Sequence, residues 1–394
     1  MAAIFAAAAG AETLLIERTR DGGRKILISG GGRCNVLPIE LDETRFVTDS
    51  SPNLLRKMLR SWPLHEQVAF FENELGIPLV DEVELGKRFP ASHKARDVRD
   101  GLLSHARKNG VSIRYDTTVI EFASGGNGWN VLLDGDAPLQ ADAIIVATGG
   151  LSVPNTGSDG TGLRVLEKLG HKMHPTYAAL TPLTSNDTAF GALSGISFPL
   201  TLTARSAVRS ATASGGFLFT HHGYSGPSVL NISHVAVRSR LDDTTPAKVS
   251  VRWTPLGDKE WEQALRPKGP RTVMAALRAQ LPDRLVSVLL AKSGVNPERV
   301  LSELRRDERL VLIETLVRGE LPWSGDEGYK KAEVTGGGLA LGEVNPRTME
   351  SRRHPGLFIC GEVLDAFGPI GGYNFAWAWA TGRAAGIGAT TTAP

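Results

Sequence analysis

The sequence has very little cysteine, no long apolar segment and almost no excess of either charge. Two cysteines, Cys34 and Cys360, exclude a disulfide scaffold and a four-cysteine zinc site. No apolar run reaches the roughly 18 residues that span a bilayer. Lys and Arg number 44 against 42 Asp and Glu, so the formal charge of +2 predicts neither a nucleic-acid groove nor an anionic-membrane patch. A hydrophobic content of 41% excludes disorder as the main state.

Several motifs are also missing. No His, Cys or carboxylate cluster has the spacing of a metal site, and no Gly-x-Ser-x-Gly elbow is present, so we predict no metal. The glycine-rich run 157–162 lacks the Gly-Lys-Ser/Thr ending of a phosphate-binding Walker loop. The alanine-rich start has no positively charged segment before it. We therefore expect no secretory signal and a cytoplasmic location.

Glycine is abundant, with 44 residues, and it is clustered. The first cluster is the glycine and basic loop 22–35. Its consecutive glycines, Gly30, Gly31 and Gly32, allow close approach of the backbone to a ligand. A flexible surface loop is the alternative. The side chains that would neutralise or hydrogen-bond a pyrophosphate there are Arg24, Lys25, Ser29, Arg33 and Asn35.

Cys34 lies in the same loop. It is either a redox thiol or, as we expect, a small residue packed in the interior.

The N-terminal residues resemble the second half of a β-α-β unit. Ala2 to Ala9 favour a helix, and 13–17 form a short strand pattern that ends at Glu17. A carboxylate there can bind the hydroxyls of an adenosine ribose, or it is simply a solvated acid. In a dinucleotide fold the glycine fingerprint precedes this acid by about 20 residues, which would place it ahead of Met1. Either the chain begins within that unit or the fold is a different one.

Three later segments also combine glycine with a preceding strand. Thr148 and Gly149 follow the apolar strand 143–147 and can pass beneath a cofactor. Gly361 follows the strand 357–360, and the Asp365 carboxylate can accept a bond from a ribityl hydroxyl. The third segment comprises Gly371, Gly372, Tyr373 and Asn374, and it opens a helix whose N–H groups favour electron-rich atoms. For each of these three segments considered alone, an ordinary turn or a helix cap is the alternative to a cofactor contact.

The run 220–227 places two histidines on a loop. His221 is our candidate general acid or base, and a hydrogen-bonded structural turn is the alternative.

The pattern of elements predicts an α/β fold in which one domain is discontinuous. We assign 1–182 and 332–394 to it, and 183–331 to an insertion that is mainly β at 183–255 and mainly helical at 256–331. The helices expected in both parts are 53–75, 95–109, 271–280, 283–292, 296–304, 308–316 and 375–388.

These motifs resemble those of the HI0933-like (BaiN/YhiN-type) flavoproteins, which are NAD(P)/FAD-dependent oxidoreductases and include members named aminoacetone oxidase family enzymes. The run 23–35 matches the signature of that family. The other matching runs, in order over nearly the whole chain, are 147–162, 220–227, 334–338, 348–351 and 361–374.

The resemblance implies a Rossmann-type FAD-binding domain with an inserted β-barrel-like part and a small helical part. Glu17 would hold the adenosine ribose, and Arg24, Lys25 and the 29–35 loop would line the pyrophosphate and flavin. Val119 lies where the strand backbone of the family passes the adenine. Asp365 and the 371–374 turn would contact the ribityl chain and isoalloxazine. Family members begin with a strand and a Gly-x-Gly-x-x-Gly loop, and this chain starts after that point, so we expect the natural product to begin upstream.

The function that this resemblance implies is oxidation or reduction of a small organic molecule with FAD. NAD(P)H is the expected reductant or O2 the oxidant, and no nucleic-acid partner or membrane span is expected. The alternative is a flavin-binding module without catalysis. A non-flavin Rossmann enzyme would leave the 361–374 segment without a role.

Overall fold

A computed structural model describes residues 1–125, 128–242 and 245–391 of the chain. The chain divides into two compact units, which we call unit 1 (Met1–Ala178 and Glu333–Pro394) and unit 2 (Ala179–Ala332). Unit 1 is built from both ends of the chain, and unit 2 is the inserted middle. The sequence predicts the boundaries at 182/183 and 331/332.

Thirteen α-helices lie within the described residues. They are α1 (Ala2–Ala8), α2 (Arg24–Ile28), α3 (Pro52–Leu59), α4 (Leu64–Ala69), α5 (Ala95–Lys108), α6 (Thr161–Lys168), α7 (Thr188–Gly191), α8 (Pro227–Leu241), α9 (Asp258–Ala264), α10 (Val273–Arg278), α11 (Asp283–Ser293), α12 (Arg306–Arg318) and α13 (Tyr373–Thr391). None of these helices is long and apolar enough to cross a membrane.

The strands are mostly short, and the same described residues contain nineteen of them. They are β1 (Leu14–Ile16), β2 (Leu37–Pro38), β3 (Leu79–Glu82), β4 (Lys87–Pro90), β5 (Ser112–Arg114), β6 (Val119–Gly125), β7 (Gly128–Leu133), β8 (Leu139–Ala141), β9 (Ile144–Val146), β10 (Met173–Ala179), β11 (Leu183–Thr184), β12 (Ser197–Arg205), β13 (Ser210–Thr220), β14 (Gly223–Ser225), β15 (Lys248–Arg252), β16 (Gly319–Glu320), β17 (Gly325–Asp326), β18 (Val334–Leu339) and β19 (Leu357–Ile359).

Unit 1 contains several small sheets. Two are parallel pairs: β1 with β5, in the register Leu14 opposite Ser112, and β9 with β19, in the register Ile144 opposite Leu357. Strands β2, β4 and β3 form one antiparallel sheet, β6, β7 and β8 form another, and β10 pairs with β18. Parallel pairing requires crossover connections, and the one from β1 to β5 contains helices α2 to α5.

Helix α13 is the central helix of unit 1 and packs closely against α1. Its sequence is rich in alanine and glycine, and it is buried on most of its surface because it has no polar face. Glycine is required at Gly386, since a Cβ there would lie 2.3 Å from the carbonyl oxygen of Ala2. The small residues of α13 therefore allow the two helix backbones to meet.

Unit 2 is organised around one seven-stranded sheet with the order β16-β15-β12-β13-β14-β11-β17. Its longest ladder joins β12 to β13, from Ser197 opposite Leu218 to Arg205 opposite Ser210. The inserted part is thus rich in β structure, as the sequence predicts. The described strands form an open sheet rather than a closed barrel, because no pairing joins β16 to β17.

The core of unit 2 is aromatic. Phe217, Phe219, Tyr224 and Trp253 are at most 1% exposed, and the rings of Phe219 and Trp253 are stacked with centroids 6.2 Å apart. Helix α8 packs on β12 and β13, and α9 to α12 form a helical group. These large rings pack with many buried Leu, Val and Ile side chains in one apolar core.

Four of the predicted elements differ from the structure. The 22–35 loop contains the helix α2, and the predicted helix 53–75 is divided because Pro63 has no N–H to continue α3. The predicted helix 296–304 is only a 3₁₀ turn at Leu301–Glu303, since Val300 is extended and bridges to Thr272. Helix α8 falls within a region predicted to be β, because it is buried all round and shows no amphipathic period.

Candidate functional site

Glu17 lies directly after β1, at the carboxyl end of the parallel pair β1–β5. Its Oε1 accepts hydrogen bonds from the Thr19 N–H at 2.8 Å and from Thr19 Oγ1 at 2.7 Å. Its backbone carbonyl accepts from the N–H of Thr117 at 3.2 Å, and its N–H donates to the carbonyl of Arg114 at 2.8 Å. The carboxylate is therefore fixed in place and only half-buried, as a ribose-binding acid requires.

A polar pocket of about 350 Å³ includes the residues that follow Glu17, and we call it the arginine pocket. Arg18, Arg20 and Arg24 line it. Arg18 pairs with Asp159, and Arg24 Nε donates to Asp21 Oδ1 at 2.7 Å. Within the described residues, Arg20 forms no ion pair. Three guanidinium groups in one concave site suit an anionic ligand such as a pyrophosphate.

The glycine loop follows α2 and has a left-handed backbone. The φ values of Gly30, Gly31 and Gly32 are +55°, +67° and +85°, which residues with a side chain rarely adopt. A Cβ on Gly31 would meet no atom within 4 Å, so this backbone borders open space. The loop can therefore present bare peptide groups to a ligand.

Three side chains of this loop are engaged by the protein itself. Arg33 Nη1 donates to Glu82 Oε1 at 2.7 Å, and its guanidinium lies 4.2 Å from the centre of the Phe89 ring. Ser29 Oγ donates to the carbonyl of Ile26 at 2.7 Å. Burial raises the pKa of the Cys34 thiol to about 12, so this cysteine packs as a neutral side chain and does not supply a reactive thiolate.

Asn35 connects the glycine loop to the turn before α13. With its amide nitrogen donating to the Leu37 carbonyl at 3.2 Å, its oxygen accepts from the Gly372 N–H at 3.0 Å. A Cβ on Gly372 would lie 2.3 Å from the carbonyl carbon of Leu37, so only glycine permits this approach. Two segments more than 330 positions apart in the sequence are thus in direct contact.

The residues after Gly372 hold the turn in shape. The Asn374 side chain accepts from the N–H of Gly368 at 2.9 Å and donates to its carbonyl at 3.0 Å. Tyr373 is buried, and its hydroxyl accepts from Arg45 Nη1 at 3.1 Å. The N-terminal turn of the long helix α13 is therefore rigid, and its free N–H groups favour an electron-rich ligand.

Thr148 and Gly149 form the turn after β9. Gly149 has a φ of +70°, and a Cβ there would lie 3.0 Å from Ser158 Oγ. Helix α6 comes very close to this turn, since a Cβ on Gly162 would lie 2.1 Å from Thr148 Oγ1. The glycine of the 157–162 run thus allows α6 to pack on the strand end.

Four polar residues form a network that the sequence reasoning largely missed, and we call it the Glu362 network: Lys25, Ser152, Thr335 and Glu362. Lys25 Nζ lies 2.5 Å from Glu362 Oε2, and Ser152 Oγ donates to Glu362 Oε1 at 2.6 Å. The N–H of Thr335 donates to the same oxygen at 3.0 Å, and Thr335 Oγ1 accepts from the N–H of Leu151 at 2.7 Å.

The Glu362 network joins α2, the turn after β9, the start of β18 and the end of β19. Only Lys25 was a predicted site residue. Thr335 and Glu362 lie within runs that match the family, but neither has a local signal that separates it from a solvated polar residue. Their roles depend on contacts between distant segments, which spacing does not reveal.

Asp365 is buried and holds a neighbouring loop. Its Oδ2 accepts from Thr48 Oγ1 at 2.9 Å, from the Asp49 N–H at 2.9 Å and from Ser50 Oγ at 2.8 Å, with His174 Nε2 3.6 Å away. Burial raises the pKa of Asp365, although the hydroxyl donors and His174 act to lower it. The structure thus shows a structural role for one carboxylate oxygen, and the predicted ribityl contact stays a prediction.

Gly361, Val119 and His221 complete the predicted set. Gly361 has a φ of +80° and borders open space, and its carbonyl accepts from Trp377 Nε1 at 3.0 Å. Val119 opens β6 opposite Leu133, next to an irregularity in the ladder. His221 is exposed in the β13–β14 turn of unit 2, so its catalytic role stays a prediction.

FAD fits the groups that unit 1 brings together. Glu17 and the arginine pocket suit an adenosine ribose and a pyrophosphate, and the open glycines Gly31 and Gly361 leave room for a flat ligand beside bare backbone. The rigid turn at Gly372 supplies N–H groups for the electron-rich edge of a flavin. Among the described residues, no group of three or more His, Cys, Asp or Glu side chains is arranged to hold a metal ion.

Comparison with known proteins identifies the family of this chain. The chain matches the family described as HI0933-like protein Rossmann domain over residues 1–388. It is 33% identical over 382 residues to ribosomal RNA dihydrouridine synthase of Escherichia coli (strain K12), covering 96% of this chain and 92% of that protein. It is 30% identical over 385 residues to 3-dehydro-bile acid delta(4,6)-reductase of Clostridium scindens, covering 95% and 92%.

Among solved structures, 3-ketosteroid delta1-dehydrogenase from Sterolibacterium denitrificans aligns with a TM-score of 0.51 at 13% identity, over 99% of this chain and 97% of that chain. That likeness supports the fold alone. The family match extends over almost the entire sequence, including both segments of unit 1. The chain therefore belongs to the HI0933-like family of FAD-dependent oxidoreductases.

Proposed function

We propose that this oxidoreductase is a reductase that saturates a carbon–carbon double bond conjugated to a carbonyl group. The names of two relatives support this proposal. Dihydrouridine is uridine whose pyrimidine double bond, next to a ring carbonyl, has been reduced. The bile-acid reductase acts on double bonds of a 3-dehydro bile acid, in which a ketone can conjugate with them. In the proposed reaction a hydride adds to the electron-poor carbon of the conjugated double bond, which is β to the carbonyl in a simple enone, and a proton adds to the other carbon.

The structural observation that supports the flavin chemistry of this proposal is the contact between the segments of unit 1 that would line the cofactor. Asn35 connects the glycine loop to the Gly372 turn, and the Glu362 network connects Lys25 to the ends of β9 and β19. These contacts fix backbone groups that would bind FAD and orient its ring. When bound, FAD supplies the two-electron chemistry, while the protein supplies binding, orientation and electrostatics.

We propose NAD(P)H as the electron donor. One hydride from NAD(P)H and one proton from the protein or solvent reduce one C=C bond, which leaves a saturated C–C bond and NAD(P)⁺. The alternative is an oxidase, in which O2 accepts the electrons of the reduced flavin. The experiment below distinguishes the reductase from the oxidase. His221, which is exposed in unit 2, is our proposed proton donor, because histidine exchanges protons near neutral pH.

Anaerobic spectroscopy of purified protein tests this function. The flavin absorbance should bleach on addition of NADH or NADPH and return when a conjugated enone or a uridine-containing RNA is added. A saturated ketone of the same skeleton is the matched control and should not restore the colour. Return of the colour with O2 alone, and with none of the conjugated substrates, would identify an oxidase and overturn the proposal.

A further inference from the structure

Unit 1 has a second pocket, of about 760 Å³, whose lining is cationic. Lys57, Arg60, Arg347 and Arg352 line it, and we call it the cationic pocket. Ser61 and Asn345 add polar groups, and none of the lining residues is acidic. All four cationic residues are exposed. A pocket of this volume is large enough for a nucleotide-sized ligand.

The charges of this pocket are only partly neutralised. Arg60 pairs with Glu43 through its Nε and Nη2, at 2.7 and 2.9 Å. Arg352 Nε donates to the carbonyl of Val344 at 3.2 Å. Lys57 and Arg347 form no ion pair within residues 1–125, 128–242 and 245–391. At least two full positive charges therefore face solvent in a concave site, where field lines are concentrated.

The segment that carries Arg347 and Arg352 is rigidly held. The N–H of Met349 donates to the carbonyl of Asn345 at 2.8 Å, and the N–H of Asn345 donates to the carbonyl of Glu350 at 2.8 Å. Met349 is buried with a φ of +61°. A loop fixed in this way loses little conformational entropy when its side chains bind a ligand.

The cationic pocket is distinct from the cofactor-lining groups. Arg383 of α13 donates to the Ser61 carbonyl at 3.3 Å, and a Cβ on Gly388 would lie 2.3 Å from the Thr348 carbonyl. The cofactor-side turn lies at Gly372, at the opposite end of α13. With about 1.5 Å of rise per residue, the two sites are separated by roughly 15–25 Å along this helix.

We propose that the cationic pocket binds the phosphodiester backbone of an RNA substrate. The inference rests on the proposed function, with a uracil base in RNA as the conjugated substrate. Guanidinium groups match phosphate oxygens in geometry, and phosphate contacts position an RNA without reading its sequence. The near-neutral charge of the whole chain, from which no nucleic-acid partner is expected, does not describe this local surface. Lys57 lies in the last turn of α3, where a positive charge also stabilises the helix terminus. The experiment must therefore separate RNA binding from this structural role.

The test is fluorescence anisotropy with a labelled single-stranded RNA of about a dozen nucleotides. In the FAD-loaded protein, Lys57→Gln with Arg347→Gln should raise the Kd about tenfold. The slope of log K against log salt should become shallower by about 1.4, since two phosphate contacts are lost. The matched control is Arg96→Gln with Lys108→Gln, which removes two exposed charges of α5 outside the pocket and should leave Kd unchanged.

Charge-retaining variants and competitors make the test decisive. Lys57→Arg with Arg347→Lys should keep RNA affinity, and all variants should keep the parent melting temperature and FAD content. Equal losses in the pocket and control variants would overturn the inference, as would displacement of RNA by inorganic phosphate at equal phosphate concentration. If the enzyme reduces a small enone but does not bind the RNA, the inference fails while the proposed reduction stands.

Discussion

The two units of this protein differ in net charge and in how they are held together. Unit 2 contains 20 Lys and Arg against 15 Asp and Glu, a net charge of +5. Unit 1 contains 24 against 27, a net charge of −3, although it carries the groups that fit an anionic dinucleotide. Net charge alone would assign the anionic ligand to the wrong unit. We expect such a ligand to be recognised by local groups instead, such as the arginine pocket and helix termini.

Packing shows the same contrast. Unit 2 has one long ladder between β12 and β13 over a buried aromatic core, with Phe219 and Trp253 stacked. Unit 1 has short sheets that are joined by polar contacts, of which the Glu362 network is the most extensive. We infer that stability depends mainly on apolar burial in unit 2, and on both burial and polar organisation in unit 1. Substitutions in each unit should therefore affect different measurements.

The largest expected effect separates catalysis from cofactor binding. If His221 of unit 2 donates the proton, His221→Asn should slow substrate turnover about 100- to 10,000-fold. FAD affinity should not change, because the groups proposed to line the cofactor belong to unit 1. Steady-state kinetics over a range of pH, with FAD titration beside it, measures both effects.

The adjacent His222 provides the control. It is exposed in the same turn, and its carbonyl rather than its side chain accepts from Ser185 at 2.9 Å. His222→Asn should retain parent rates. Equal rates for His221→Asn and the parent protein would remove His221 from the mechanism and leave a structural turn.

The next effect is on stability. Trp253 is 1% exposed in the core of unit 2, and Trp253→Ala should lower the free energy of unfolding by about 3–5 kcal/mol. Urea titration followed by circular dichroism measures the loss. Val208, which is 69% exposed, is the control, and Val208→Ala should stay within about 0.5 kcal/mol of the parent. A small effect at Trp253 would contradict the view that apolar burial dominates unit 2.

The sequence predicted the elements whose signals are local. The apolar runs at β9 and β19 and the amphipathic helix α5 lie where expected, because continuous apolar runs favour buried strands and α5 buries one face. Helix α8 was missed since it is buried on all sides and has no amphipathic period to detect. The Rossmann-type class followed from a family resemblance, whereas strand order and register depend on contacts that no local pattern specifies.

For the candidate site, too, the sequence indicated local features but not the contacts between distant residues. Left-handed glycines could be identified from composition, since Gly30 to Gly32 have few other uses in a short basic segment. The behaviour of Arg33 was not predictable, because Glu82 and Phe89, which hold it, lie about 50 residues later. The sequence reasoning selected Asp365 as a site residue and did not select Glu362. In the structure, Oδ2 of Asp365 accepts hydrogen bonds from the 48–50 loop.

A smaller effect tests the polar organisation of unit 1. Glu362→Gln retains the shape of the side chain but removes the charge that pairs with Lys25. The loss of a hydrogen bond to a charged group costs about 1.5–3 kcal/mol. If FAD binds only when the network is intact, this cost lowers FAD affinity by up to roughly 10- to 150-fold. Equilibrium titration with FAD measures it. Asp258→Asn is the control, since it breaks an exposed pair with Arg318 in unit 2 and should leave FAD affinity unchanged.

The smallest predicted effect concerns pH and unit 2. His234 is buried in α8, and burial lowers its pKa to about 4, with further lowering by the charges of Arg238 and Arg209. The unfolded chain takes up a proton near pH 6.5, while the folded protein does not until about pH 4. The stabilising contribution of neutral His234 is therefore complete above pH 6.5 and is lost progressively as the pH falls towards 4.

Replacing this histidine should reduce the pH dependence of unfolding. Between about pH 7 and pH 5 the parent should lose about 1–2 kcal/mol more than His234→Gln, because only the parent has this group to protonate on unfolding. Urea titrations at the two pH values measure the difference. His65→Gln, an exposed position of α4 in unit 1, should retain the pH dependence of the parent. If His234→Gln retains it as well, another group sets the acid sensitivity, such as the buried His171 of unit 1, whose pKa is also lowered by burial.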